Sequence, residues 1–233
     1  MDAMSYTGDV VPGGPPQARV LDEVVIRKLS VGPMDNNSYL LTSRVGGDQL
    51  LVDAAAEPDR LLALIREGSP TARLSTVVTT HRHADHVGAL ESVLAVTGAH
   101  HACGADDAAA VPAAVHRRLH HGDLVSVGHV VLEVVALRGH TPGSLALLYR
   151  EPARGAGPDA VPGRAHLFTG DSLFPGGPGK TADAAAFRTL MTDLEQRVFG
   201  TLSDDTWVYP GHGRDTTLGA ERPHRAEWWR RGW

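Results

Sequence analysis

Cysteine is almost absent from this chain of 233 residues, in which Cys103 is the single one. One thiol excludes the internal disulfide framework on which many small secreted domains depend. No run approaches the roughly 20 consecutive apolar residues of a transmembrane helix. The N-terminus also lacks the charged start and apolar core of a signal peptide. We therefore expect a cytoplasmic protein that does not enter a membrane.

Positive charge is also scarce, with 22 Lys and Arg against 27 Asp and Glu and a net charge of −5 at pH 7. No stretch gathers Lys and Arg into the basic stripe of a nucleic-acid-binding surface, so we exclude that class of partner. The length and the 42% of hydrophobic residues allow a substantial core. We predict a flexible N-terminal arm over residues 1–20 and a single domain over residues 21–233, present as a monomer or a homodimer.

Histidine, in contrast, is concentrated in one short block, HRHADH. The block contains His81, His83, Asp85 and His86. It follows the apolar run 74–80 and precedes a helical pattern over residues 87–96, so its side chains can project from a strand-to-helix turn. Imidazoles and a carboxylate are the ligands that Zn²⁺ and Fe²⁺ accept.

Three later blocks repeat this local pattern. His140 lies in GHTPGS, Asp171 in FTGDSLF and His212 in YPGHG, and each follows a β-like segment. A single GH or GD dipeptide is a weak signal. In this order and spacing, the blocks together predict a two-metal hydrolytic site.

The blocks resemble those of the metallo-β-lactamase-fold hydrolases, and within them the glyoxalase II-like (hydroxyacylglutathione hydrolase-like) branch, over roughly residues 24–220. The resemblance implies a mixed α/β (α+β) fold, a four-layer αβ/βα sandwich with the metals at one edge. It also implies two divalent metal ions, with Zn²⁺ preferred and Fe²⁺ as the alternative. By this resemblance, the first metal is held by His81, His83 and His140, the second by Asp85, His86 and His212, and Asp171 bridges them.

Two metals that share a carboxylate and a water lower the pKa of that water and polarise the carbonyl that it attacks. The chain has no GxSxG motif, and Cys103 lies outside the matched blocks. We therefore predict a hydrolase of small thioesters or esters that needs no side-chain nucleophile. Asp85 is also a candidate catalytic residue, because it can move a proton as the leaving group departs.

Four further residues are assigned through the resemblance. Asp53 ends an apolar strand where the family has a carboxylate that orients a metal-binding imidazole, although a turn or helix N-cap is the other interpretation. Lys180 lies in a loop similar to one in glyoxalase II and is predicted to pair with a substrate carboxylate. Arg214 stands where that family often has Tyr, and Ser144 where many relatives have a second His, so both are predicted to line the substrate pocket.

Other functions stay open at this point. A mononuclear iron persulfide dioxygenase has the same fold and would use the positions of His81, His140 and Asp171. A lactonase or another hydrolase of the fold is equally compatible with the ligands, and the thiol carrier could be glutathione, mycothiol or coenzyme A. A binding module without activity is disfavoured, because such a protein would usually have lost ligands.

Overall fold

Two β-sheets lie face to face, and helices cover both outer surfaces. This arrangement comes from a computed structural model, which describes residues 6–71 and 73–232. The layers follow the order helix, sheet, sheet, helix, so the predicted αβ/βα sandwich is confirmed.

The first sheet has seven strands that follow one another in chain order. Its first four strands are antiparallel and the last four are parallel, β4 belonging to both sets. The strands are β1 (Gln17–Val20), β2 (Val24–Val31), β3 (Asn36–Ser43), β4 (Asp48–Val52), β5 (Arg73–Thr79), β6 (His100–Gly104) and β7 (Arg117–Leu119).

The second sheet has six strands in the order β15-β14-β11-β10-β9-β8. They are β8 (Leu124–Val127), β9 (Val130–Ala136), β10 (Leu145–Arg150), β11 (Ala165–Gly170), β14 (Trp207–Pro210) and β15 (Thr216–Thr217). The turn-rich residues 151–164 form the tip of the hairpin that connects β10 to β11. A small separate hairpin is formed by β12 (Leu173–Phe174) and β13 (Gly177–Pro178).

The described part of the chain also contains five α-helices. They are α1 (Pro58–Gly68), α2 (Leu90–Thr97), α3 (Ala184–Leu194), α4 (Leu218–Glu221) and α5 (Arg225–Arg231). Short 3₁₀ turns at Ala84–His86 and Arg222–His224 and a π-helical turn at Glu195–Phe199 adjoin them. Within the described residues, no helix is long and apolar enough to cross a bilayer.

Alternation along the strands builds three separate cores. In β10, Leu145, Leu147 and Tyr149 point between the sheets, while Ala146 and Leu148 pack under the outer helix α3. Successive side chains of a strand point to opposite faces, so a strand covered on both sides is apolar throughout. Burying one such Leu contributes about 1.5–3 kcal/mol, and this packing keeps the strand ends that carry the site in place.

The segment predicted to be a flexible arm carries regular structure in its described part. Gln17–Val20 pairs with β2, although the sequence analysis predicts no strand there. Tyr6 is buried between the sheets beside Trp207. The predicted boundary between an arm and a domain over residues 21–233 stays a prediction.

The fold makes Cys103 an unreactive thiol. Cys103 lies in β6 with no exposed surface, and burial raises the pKa of its thiol to about 11. Because the thiolate is the nucleophile, we expect iodoacetamide at pH 8 to leave the native protein unmodified and to label it fully in guanidinium. Mass spectrometry would count the adducts, and rapid labelling of the native protein would contradict the prediction.

Candidate metal centre

The predicted ligands lie on four loops at one edge of the sandwich. Each loop begins where a strand ends: β5 precedes the HRHADH block, β9 precedes His140, β11 precedes Asp171 and β14 precedes His212. Backbone hydrogen bonds join the two sheets there, from the Leu145 N–H to the Thr80 carbonyl (3.0 Å) and from the Asn37 N–H to the Gly211 carbonyl (2.8 Å). The structure therefore brings all seven predicted ligands together.

His81, His83 and His140 form the first ligand group. His140 Nε2 lies 2.9 Å from His83 Nδ1, and the ring centroids of His81 and His140 are 4.7 Å apart. His140 Nδ1 donates to the Lys180 carbonyl at 2.6 Å. This bond places the ring proton on Nδ1, so a lone pair of Nε2 faces the centre of the group.

Asp85, His86 and His212 form the second group. His86 Nδ1 faces Asp53 Oδ2 at 2.9 Å, and His212 Nδ1 donates to the Met34 carbonyl at 2.9 Å. The two Nε2 atoms face each other at 3.2 Å. Two ring nitrogens at that distance need a proton or a metal cation between them, so the group has the geometry of a cation site.

Asp171 lies between the two groups. Its Oδ1 is 3.2 Å from His86 Nε2, and its Oδ2 is 3.4 Å from His212 Nε2 and 3.6 Å from His140 Nε2. A Cβ on Gly211 would collide with this carboxylate, so only glycine fits beside it. The chain thus provides a carboxylate whose Oδ2 faces both groups and whose Oδ1 faces His86 of the second.

Two buried atoms of the site test whether a metal fits. His81 Nε2 and Asp171 Oδ1 are buried without a hydrogen-bond partner among the described residues. A buried polar atom left unpaired costs about 1–3 kcal/mol, and a divalent metal would satisfy both atoms. Imidazole and carboxylate donors suit Zn²⁺ and Fe²⁺. The fold and this cluster therefore indicate divalent metal binding.

The protonation of the site agrees with that fit. Burial and the nearby His86 lower the pKa of His81 well below its usual range, and burial lowers that of His140, so both are neutral ligands at pH 7. Burial opposes ionisation of Asp171, but contacts from His212 and His86 prevail and hold its pKa well below the usual range. Burial also opposes charge on His86, yet Asp171 and Asp53 raise its pKa to about 10. The second group therefore attracts positive charge.

The family model of the metallo-β-lactamase superfamily matches residues 31–153, more than half of the chain. The chain belongs to this superfamily. The matched segment contains the HRHADH block and His140, whereas Asp171 and His212 lie beyond it.

Individual relatives support the same assignment. The chain is 36% identical over 178 residues to the hydroxyacylglutathione hydrolase of Fuscovulum blasticum, covering 76% of this chain and 62% of that relative. ETHE1 from Myxococcus xanthus is similar at 27% identity and a TM-score of 0.66, covering 86% of this chain and 82% of that one. TTHA1623, solved in a di-iron-bound form, is similar at 28% identity and a TM-score of 0.63, covering 84% and 96%. The predicted glyoxalase II-like resemblance is confirmed, although the chain spans less than two thirds of the first relative's length.

In this superfamily member, Asp53 is connected to both ligand groups. Its Oδ2 lies 2.9 Å from His86 Nδ1 and accepts from the Thr80 hydroxyl at 2.7 Å, and its Oδ1 accepts from the Thr80 N–H at 2.7 Å. The Thr80 hydroxyl is in turn 3.0 Å from His81 Nδ1. Asp53 has a left-handed φ of 57°, a conformation that costs a non-glycine residue on the order of 1 kcal/mol. The backbone strain is thus located at the carboxylate that orients two of the imidazoles.

The sequence analysis missed Asp107, which serves the first group. This buried carboxylate accepts from the Arg82 N–H (3.0 Å) and the Thr141 hydroxyl (2.5 Å) through Oδ2, and from the Gly143 N–H (2.9 Å) through Oδ1. It therefore joins the loop of His81 and His83 to the loop of His140. Its only signal in the sequence is an Asp shortly after the end of a strand.

The three predicted substrate residues occupy different environments. Lys180 reaches the site through its carbonyl, which accepts from His140, while its side chain is exposed. Arg214 is exposed two residues after His212. Ser144 is 2% exposed, and its hydroxyl accepts from the Thr141 N–H at 2.9 Å, within the turn that follows His140. Their contacts with a substrate stay predictions.

We predict that Asp53→Asn weakens metal binding about 10- to 100-fold, the usual effect of losing an outer partner of a ligand. Asparagine tolerates the left-handed backbone, so the variant removes the charge rather than the loop conformation. Competition with a chromophoric chelator measures the affinity. Asp48→Asn, at the other end of β4 in a 3.6 Å surface pair with Arg73, is the matched control. Equal affinities of the two variants would refute the role of Asp53.

Proposed function

We propose that the protein is a hydrolase that uses two divalent metals to cleave a small thioester or ester. His81, His83 and His140 would hold one metal, and Asp85, His86 and His212 the other, with Asp171 between them. The observation that carries the proposal is the placement of the Asp171 carboxylate, within 3.2–3.6 Å of ligand nitrogens from both groups. Sites of this kind perform metal-assisted hydrolysis of carbonyl compounds.

When bound, two divalent metals supply an activated water and polarise the carbonyl under attack. The chain's own residues orient the ligands beforehand: the carbonyls of Lys180 and Met34 and the carboxylate of Asp53 each face one imidazole. No side-chain nucleophile is required. Cys103 and Ser144 are both buried, which supports a mechanism without a covalent intermediate on the protein.

Asp85 is the residue that we assign to proton transfer. Its carboxylate accepts from Asn36 Nδ2 at 2.9 Å, and Oδ2 lies 3.3 Å from His212 Nε2. Partial burial acts to raise the pKa of Asp85, but the Asn36 bond and His86 outweigh it and lower the pKa. The carboxylate is therefore ionised at neutral pH, and it is partly exposed, so it can take a proton and pass it to the leaving group.

One relative and the residues at the mouth of the site support the proposed substrate class. The Fuscovulum blasticum relative is named a hydroxyacylglutathione hydrolase, which favours a hydroxyacyl thioester here. The exposed side chains of Lys180, between β13 and α3, and of Arg214, on the loop of His212, can pair with a substrate carboxylate. Met34 is 60% exposed and the Phe174 ring is 6.2 Å from His212, so apolar surface is present for the acyl group.

The alternative is a mononuclear iron dioxygenase acting on a persulfide, with iron on His81, His140 and Asp171. Iron is a reasonable metal, since TTHA1623 was solved with two iron ions. The complete second group favours the hydrolase, because a mononuclear enzyme does not need Asp85, His86 and His212 together. A lactone or another ester would use the same ligands.

Elemental analysis combined with a substrate panel tests the proposal. We expect about two metals per chain and hydrolysis of hydroxyacyl thioesters of glutathione, mycothiol or coenzyme A, or of a lactone. His212→Ala should lose one metal and most turnover, whereas His100→Ala, at an exposed histidine outside both groups, should keep both. One iron per chain with oxygen consumption on a persulfide would establish the alternative. A metal-loaded protein that turns over none of these substrates would overturn the proposal.

A second prediction concerns Asp85. Asp85→Asn should lower kcat by about 10²- to 10⁴-fold, the usual contribution of a positioned proton-transfer group. Asn36→Ala, which leaves the carboxylate in place but removes its hydrogen bond, should cause a smaller loss. Steady-state kinetics with parallel metal analysis separates loss of turnover from loss of metal. Full turnover with both metals in Asp85→Asn would rule out this role.

A further inference from the structure

A fully buried lysine lies behind the loop that carries His212. Lys28, in β2, has no exposed side-chain surface, and Asp215 beside it is 1% exposed. Lys28 Nζ donates to the Gly8 carbonyl (2.7 Å), the Gly213 carbonyl (2.6 Å) and Asp215 Oδ1 (2.7 Å), which uses all three of its protons. A buried ammonium is tolerated only with such complete pairing.

Residues of the N-terminal segment also form hydrogen bonds with the Lys28–Asp215 pair. Tyr6 donates its hydroxyl to Asp215 Oδ2 at 2.7 Å, and Trp207 Nε1 donates to the same oxygen at 2.8 Å. The Asp215 N–H donates to the Gly8 carbonyl at 3.0 Å. Gly8 has a φ of +77°, and a Cβ there would lie 2.6 Å from the Asp215 Cβ, so glycine is needed for this approach. We name Tyr6, Gly8, Lys28 and Asp215 the buried clamp.

The clamp acts on the backbone on both sides of Arg214. On one side, Lys28 Nζ donates to the Gly213 carbonyl. On the other side, the Asp215 carboxylate accepts from Lys28 Nζ, and the Asp215 N–H donates to the Gly8 carbonyl. Asn37 Nδ2 also donates to the Gly213 carbonyl at 2.9 Å, and the Asn37 N–H donates to the Gly211 carbonyl. The backbone on both sides of His212 is therefore hydrogen-bonded to the first sheet or to the clamp, although His212 lies on a loop of the second sheet.

The composition of the clamp suggests more than stabilisation. Replacing a buried ion pair by apolar residues is often neutral or favourable for stability, whereas charged pairs with complete hydrogen bonding define one geometry. Lys28 has no exposed surface and is paired with residues outside the ligand groups, so it is not placed to touch a substrate. A clamp with one fixed geometry would hold His212 in one position.

We propose that the buried clamp is a positioning device that holds His212 in the second ligand group, so that the N-terminal segment is part of the site. The metal-binding consequence rests on the proposed two-metal function. The effect on the His212 loop does not, because it is a property of the metal-free chain. The two statements can therefore be tested separately.

Hydrogen exchange of the metal-free, full-length protein tests the loop. The Gly211 N–H donates to the Gly170 carbonyl (2.9 Å) and the Gly213 N–H to the Asp35 carbonyl (3.3 Å), so both amides should be protected. We expect Lys28→Met to speed exchange of the peptide spanning residues 208–216 at least tenfold relative to a peptide from β10. Tyr6→Phe, which keeps the ring, should act in the same direction more weakly and serves if Lys28→Met does not fold. Unchanged exchange of this peptide in Tyr6→Phe and in any folded Lys28→Met would overturn the proposal.

Metal titration then tests the consequence. We expect Lys28→Met to weaken the second metal about tenfold, at the lower end of what losing an outer partner does, and to leave the first metal unchanged. Leu194→Ala, which removes core packing in α3 at a residue outside the clamp, is the control for general destabilisation. An equal loss of affinity for both metals, or the same pattern in Leu194→Ala, would show that the clamp contributes only to general packing. A wild-type protein that binds only one metal would refute the proposed two-metal function. The hydrogen-exchange data would still test whether the clamp holds the His212 loop.

Discussion

The Asp53 carboxylate makes the hydrogen bonds on which both halves of the centre depend. It orients His86 directly and His81 through the Thr80 hydroxyl. This is possible only because the strained turn after β4 directs the carboxylate toward the end of β5. Parallel pairing of these two strands brings their carboxyl ends together, so the strand pairing that builds the sheet also brings Asp53 to the ligands.

Different buried carboxylates hold different loops of the site. Asp107 joins the loops of the first group, and Asp215 with Lys28 holds the loop that carries His212. Each of these acids is surrounded by several donors, which offsets the cost of removing its charge from water. Loops are usually the mobile part of a fold. Here their ends are fixed by charged contacts, which keep the ligand side chains in place before a metal binds.

The charge distribution also separates the tasks of the two groups. In the first group, burial keeps His81 and His140 unprotonated. The second contains the Asp85 carboxylate, and Asp171 lies between the two groups. Exposed residues occur at the mouth of this second group, among them Met34 and Arg214. Substrate selection is therefore expected from the exposed loops, and metal binding from the buried network beneath them.

The sequence by itself determined the candidate ligands, and the family resemblance that they carry implied the sandwich. The ligands follow a local rule, because a residue placed just after a strand lies at the edge of the sheet. Only the tertiary structure decided the supporting contacts. Lys28 and Asp215 are 187 positions apart, and each is a common surface residue type, so no local pattern marks them as a buried pair. The same holds for Asp107 and for the Lys180 carbonyl, because a partner that is distant in the chain becomes a neighbour only when the two sheets pack.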